Sequence, residues 1–150
     1  MKIDYTVVTA PHLHTAQGHL ARTMSGHFFW DKDEPNPSDR AVLALRRGKL
    51  VGIQKFDVRI EKRQRILKSV ATFVWPMYRD VNIAQRMWSL ALTSERIQVV
   101  EANVVSDRGK TLIETLSEQF PDIRFVLYEA GSRPLRSLGA KKGRKGRRAA

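Results

Sequence analysis

The stretch Val70-Ala71-Thr72-Phe73-Val74-Trp75-Pro76-Met77-Tyr78-Arg79-Asp80-Val81-Asn82-Ile83-Ala84 begins as a β-type apolar run and ends as the opening turn of a helix. Pro76 stops the strand, since proline offers no N–H to a ladder. Beyond it, Val81, Ala84, Trp88 and Ala91 recur at helical spacing. A strand that becomes a helix through a short turn leaves the first helical N–H groups unpaired and sets the positive end of the helix dipole at the turn. That combination is a natural phosphate site. It is also the form of an ordinary β–turn–α connection capped by Asp80 or Asn82.

Working outward, Tyr5-Thr6-Val7-Val8-Thr9 has β composition, and Thr9 or Ala10-Pro11 opens a helix with Leu13, Ala16, Leu20 and Met24 on one face, ended by Gly26. The aromatic segment Phe28-Phe29-Trp30 leads into a polar, proline-bearing loop. Residues 40–45 and 50–58 read as strands joined by Arg46-Arg47-Gly48-Lys49, and the basic turn Glu61-Lys62-Arg63-Gln64-Arg65 enters the central strand, Ile66 to Trp75. After the helix, Ile97 to Val105 reads as a buried strand. Ser106 or Asp107 then caps a helix with Leu112, Ile113, Leu116 and Phe120 on one face, closed by Pro121, and Ile123 to Tyr128 forms the last strand. This alternation implies an α/β domain, a mixed sheet with helices on both faces.

From Gly131 the composition turns to Gly, Ser, Arg, Lys and Ala, too polar to fold alone. The reading is therefore a domain over residues 1–130 and a flexible basic tail over residues 131–150. No further strand is expected after Tyr128, which leaves a sheet edge open to the tail, to another chain or to a second copy.

At 150 residues the chain is long enough for one domain with a real core. With no cysteine, disulfides, thiolate metal sites and a cysteine nucleophile are excluded together. No apolar leader or membrane-length run is present, so a soluble cytoplasmic protein is expected. His12, His14, His19 and His27 lack carboxylate or thiol partners at ligand spacing, and no metal is expected. The net charge is +12, and half of it sits in the last ten residues as Lys141, Lys142, Arg144, Lys145, Arg147 and Arg148, with no acid among them. Such an arm suits a polyanion, a nucleic acid or nucleoprotein assembly, better than a membrane surface, since no apolar or lipidation signal accompanies it.

Val74, Pro76, Tyr78, Arg79 and Ala84 resemble the strand end and Arg/Gln-x-x-Gly-x-Gly/Ala turn of the GNAT family of acyl-CoA-dependent N-acyltransferases, with Asn82 where the first glycine is usual. Asparagine tolerates a left-handed backbone better than most residues, so the exchange is mild. The element order is also that of a GNAT domain, over roughly residues 3–129. The resemblance implies a mixed, mostly antiparallel sheet and an acyl group, acetyl above all, carried by coenzyme A. It places Val74, Trp75, Arg79, Asp80, Val81, Asn82, Ile83, Ala84 and Ser106 around that co-substrate, with a backbone N–H near Val74 or Trp75 polarising the thioester. The reduced motifs are similar to those of small phage-encoded GNAT-like proteins, for which the host cytoplasm would be the location.

The family's usual Asn-x-x-Ala-x-x-Leu-Tyr helix is represented here by Ser106, Gly109, Leu112 and Ile113, so isoleucine stands where the acid tyrosine is usual. Glu101 and then Asp57 are the candidate bases, and Tyr78 or Tyr128 the replacement acid; each also reads as an ordinary strand or turn residue. Two functions follow. One is an N-acyltransferase acting on an amine of a nucleic acid, of a protein bound to nucleic acid, or of a small molecule. The other is a GNAT-shaped binding or structural module that has lost catalysis and works through its basic tail.

Overall fold

A computed structural model describes residues 2–9, 38–79, 82–103, 106–128 and 134–139. The helix expected after Thr9, the aromatic segment, the four histidines and the basic tail lie outside the described residues. The elements are β1 (Asp4–Thr9), β2 (Asp39–Arg46), β3 (Lys49–Glu61), β4 (Gln64–Val74), α1 (Ile83–Ser94), β5 (Val99–Asn103), α2 (Asp107–Gln119), β6 (Arg124–Tyr128) and β7 (Pro134–Gly139). They build one seven-stranded sheet whose spatial order follows the sequence order. Pairing is antiparallel except at β4–β5 and β5–β6, the two junctions bridged by a helix.

The seventh strand corrects the sequence reading. β7 pairs antiparallel with β6 from Tyr128↔Pro134 to Arg124↔Gly139, so the sheet runs past residue 130 and the edge expected to lie open is occupied. Its sequence, Pro-Leu-Arg-Ser-Leu-Gly, carries little strand signal, and the partner supplies what local propensity does not.

Val58, Leu67, Val100 and Phe125 stand in register across β3 to β6, and all four belong to the main apolar cluster. Met87, Trp88, Ala91 and Leu92 of α1 and Ile113 and Leu116 of α2 are buried in the same cluster, so both described helices cover one sheet face. Each large side chain in it contributes about 1.5–3 kcal/mol by leaving water. Among the described residues no helix is long and apolar enough to cross a membrane.

β4 is treated differently by its two neighbours. Its pairing with β3 runs from Glu61↔Gln64 to Gly52↔Val74, whereas β5 meets it only at Ile66↔Val99, Leu67↔Val100 and Lys68↔Glu101. Just beyond, Phe56 pairs with Ser69 and Lys55 with Ala71, so Val70 is an extra residue on β4. A bulge bends and twists its strand, and here it accompanies the turning of β4 away from β5.

The joined end of this fork is sewn by polar contacts. Arg65 and Gln98 exchange bonds of 2.9 Å, Arg65 N to Gln98 Oε1 and Gln98 N to Arg65 O. Glu95 accepts from Arg65 Nη2 at 2.9 Å and from Arg40 Nε at 3.3 Å. The end of α1 is a Schellman cap: Ile97 N donates to Leu92 O at 3.1 Å and Arg96 N to Thr93 O at 3.3 Å. Arg96 occupies its left-handed position with φ 52°.

Candidate functional site

The backbone at the end of β4 faces the gap. Trp75 N donates to Val51 O at 2.8 Å, which makes Gly52–Val74 a non-hydrogen-bonded pair of the antiparallel ladder. The N–H and C=O of Val74 therefore point away from β3, toward the side that β5 has left. In agreement, the Val74 carbonyl is taken by Arg79 Nε at 2.8 Å. Thr72, two residues earlier and opposite Gln54, has the same orientation. Of the two backbone donors considered for a thioester carbonyl, Val74 N–H is presented to the gap and Trp75 N–H is already bonded.

After Val74 the chain makes a single 3-10 turn, Pro76–Tyr78, and Arg79 folds back so that its guanidinium lies 5.2 Å from the Phe73 ring centroid. Asp80 and Val81 lie outside the described residues. Asn82 is the N-cap of α1 and is left-handed, at φ 62° and ψ 24°, as expected for the residue in the glycine position. Its side chain makes no capping bond, and the first bond back to the cap is Arg86 N to Asn82 O at 3.1 Å. The amides of Ile83, Ala84 and Gln85 thus have no intrahelical acceptor. Gly52 lets this turn sit low on the sheet, because a Cβ there would meet Ile83 Cγ2 and Met87 Cε at 3.3 Å.

Between the free part of β4 and the starts of α1 and α2 lies a cleft of about 330 Å³. Val74, Arg79, Asn82, Ala84 and Ser106 line it, five of the positions expected around the co-substrate. The Ile83 side chain is buried in the core, so only its amide is available. Trp75 lines a different cleft. Thr72, Gln85 and Arg108 also line the first cleft and were not anticipated, and Gly109 and Leu112 of the aligned helix line it too. A signal for Gly109 was present: Ser106 Oγ caps α2 by accepting from Gly109 N at 3.1 Å, the spacing of an ordinary N-cap.

The acid–base candidates are not in this cleft. Asp57, Lys68 and Glu101 stand side by side across β3, β4 and β5 at the last rung before the fork opens, on the face opposite the helices, since their neighbour Leu67 is on the helix face. Glu101 Oε1 lies 3.4 Å from Lys68 Nζ. Asp57 Oδ2 accepts from Arg59 Nε at 2.7 Å, a bond that raises the Arg59 pKa, while Asp57 Oδ1 is buried without a partner. Tyr78 is held by Arg46 in the second cleft, and Tyr128 packs against Ile66, Val99 and Val126. Ile113, where tyrosine is usual, is core. The described lining of the first cleft contains no carboxylate and no tyrosine.

No protein-family profile and no curated protein sequence matches the chain. Solved structures do. The ribosomal-protein-alanine N-acetyltransferase of Brucella melitensis biovar Abortus 2308 superposes with a TM-score of 0.57 at 18% identity, covering 77% of this chain and 91% of that one. A GNAT family acetyltransferase of Staphylococcus aureus gives 0.55 at 10%, covering 73% and 91%. The chain has the GNAT fold. The same fold is shared with AAC(6')-Iy, solved with a bisubstrate analogue, CoA-S-monomethyl-acetylneamine, at a TM-score of 0.55 and 13% identity over 79% of this chain and 89% of that one. In this chain the GNAT fold brings the left-handed Asn82 turn and the free edge of β4 to one cleft; at these identities the fold is what is shared.

Proposed function

We propose that the protein is an N-acyltransferase that takes its acyl group, acetyl first, from coenzyme A. The observation that carries this reading is the parting of β4 from β5 beside a helix N-terminus that the Asn82 side chain does not cap: one cleft offers amides for a pyrophosphate and a strand-edge N–H for a carbonyl. The amides of Ile83, Ala84 and Gln85 hold the pyrophosphate, aided by the positive end of α1. Val74 N–H polarises the carbonyl as charge develops on its oxygen. When bound, the thioester supplies an activated acyl carbon and a thiolate leaving group. An acceptor amine forms the new C–N bond as the C–S bond breaks. Glu101, at the last rung before the gap and outside the cleft, takes the amine proton through one bridging water, and the thiolate takes a proton from solvent. Asp57 is the second candidate, its Oδ2 already accepting from Arg59 Nε.

The chain's charge favours an acceptor amine on a nucleic acid or on a protein bound to one, with the tail from Lys141 to Arg148 as the phosphate-binding arm. One observation favours the second reading, a binding module: no acid lines the described cleft to protonate the thiolate. Calorimetric titration with acetyl-CoA, followed by an assay of thiol release with amine acceptors, separates the readings. Heat and acceptor-dependent thiol release are expected. Heat without thiol release leaves the binding module, and no heat overturns the co-substrate assignment.

A further inference from the structure

The segment from Val74 to Arg79 is a partition. Val74 and Arg79 line the cleft described above, while Trp75, Met77 and Tyr78 line a second one, of about 450 Å³. Its opposite wall is the β2–β3 turn with Arg46, Arg47 and Lys49, and among the described residues no carboxylate contributes to the lining. Three cations around a concavity without an acid make a positive focus that water-filled walls of mixed sign would not.

Two features distinguish this from a solvated fringe. Arg46 is positioned: its Nη1 donates to Tyr78 OH at 3.3 Å and its guanidinium carbon lies 5.9 Å from the Tyr78 ring centroid. Arg47 is left-handed, at φ 52°, beside Gly48 at φ 78°, as Lys62 and Arg63 are in the next hairpin turn, so its backbone marks the turn alone. The apolar side is equally unusual, since Met77 is 78% exposed next to the half-buried Trp75. Guanidinium groups suit phosphate oxygens, and an exposed thioether beside an indole suits a planar ring.

We infer that this second cleft binds a phosphate-bearing planar ring, a nucleotide unit, separately from the pyrophosphate turn at Asn82. The nucleotide has two chemical sources, the nucleotide end of coenzyme A or one residue of a nucleic-acid acceptor. The site stands without the acyl-transfer reading, because nucleotide binding needs no reaction.

The test compares the full chain with the double variant Arg47→Gly/Lys49→Ala and with Ala84→Trp, using calorimetry at low salt with AMP, coenzyme A and a short single-stranded oligonucleotide as probes. The double variant should weaken AMP binding about tenfold or more. Its melting temperature should hold or rise, because glycine relieves the left-handed position. A matching loss for coenzyme A assigns the nucleotide to the acyl donor, and a matching loss for the oligonucleotide assigns it to the acceptor. Absent AMP binding to the unmodified chain, or AMP binding that survives in the double variant and is lost in Ala84→Trp, overturns the site.

Discussion

The two ends of β4 teach different lessons. At its start, Arg65 is bound on three sides by Gln98 and Glu95, and β3, β4 and β5 lie in one continuous ladder. Past Lys68 the strand keeps β3 and loses β5, and the backbone groups of Thr72 and Val74 face a gap in the middle of a sheet. Unpaired strand groups inside a sheet are costly unless something polar meets them. A sheet that sews one end so firmly and leaves the other open concentrates its polar cross-links in one place and its outward-facing strand groups in the other.

Substitutions at the open end should therefore change binding and leave folding nearly untouched, and those at the sewn end should do the reverse. The largest effect is expected from Ala84→Trp, which fills the turn where the free amides of α1 converge: affinity for coenzyme A should fall at least about a hundredfold, close to 2.7 kcal/mol, by calorimetry. Retained affinity would move the site elsewhere. Glu101→Gln, at the rung where the fork opens, should lower the acyl-transfer rate about a hundredfold with donor affinity unchanged, the signature of a lost base. Equal rates for the variant and the parent would remove Glu101 from the mechanism.

At the sewn end, Glu95→Ala removes the carboxylate that Arg40 and Arg65 share, whose side chain is only 14% exposed. Unfolding in urea should show a loss of about 2–3 kcal/mol, as a lower midpoint at unchanged slope. Gly52→Val lies between the two ends, under the first turn of α1. Two contacts of 3.3 Å must give way, at about 1–2 kcal/mol, and donor affinity should fall severalfold as the turn lifts. The smallest change is a gain: Arg96→Gly meets the left-handed demand of the Schellman cap and should add about 1 kcal/mol, raising the melting temperature by about 2–4 °C.

The residues of the site turn were legible because their signals are local. Pro76 ends a strand, Val81 to Ala91 keep helical spacing, and Asn82 can hold a left-handed backbone; each property belongs to a residue and its near neighbours. Ser106 as an N-cap was legible for the same reason. The bulge at Val70 was not, since nothing in Ser-Val-Ala marks an unpaired residue until β3 is laid beside it. Nor was the choice between Val74 and Trp75 as donor, which depends on which amide Val51 captures across the ladder. β7 escaped because Pro134 to Gly139 has neither strand composition nor alternation, and its pairing with β6 provides the hydrogen bonds that hold it.

What the sequence determined by itself is the succession from β1 to β6 with the two described helices, the turn between β4 and α1 with Asn82 at its left-handed position, and a strongly positive charge, since period, punctuation and composition are carried by the chain alone. The tertiary structure alone decided that β4 parts from β5 after Lys68, that Glu101 and Asp57 share a rung on the face away from the helices, and that Arg46, Arg47 and Lys49 close a second cleft with Trp75. Those relations join residues distant in sequence, and they arise only when hydrogen-bond register and core packing bring them together.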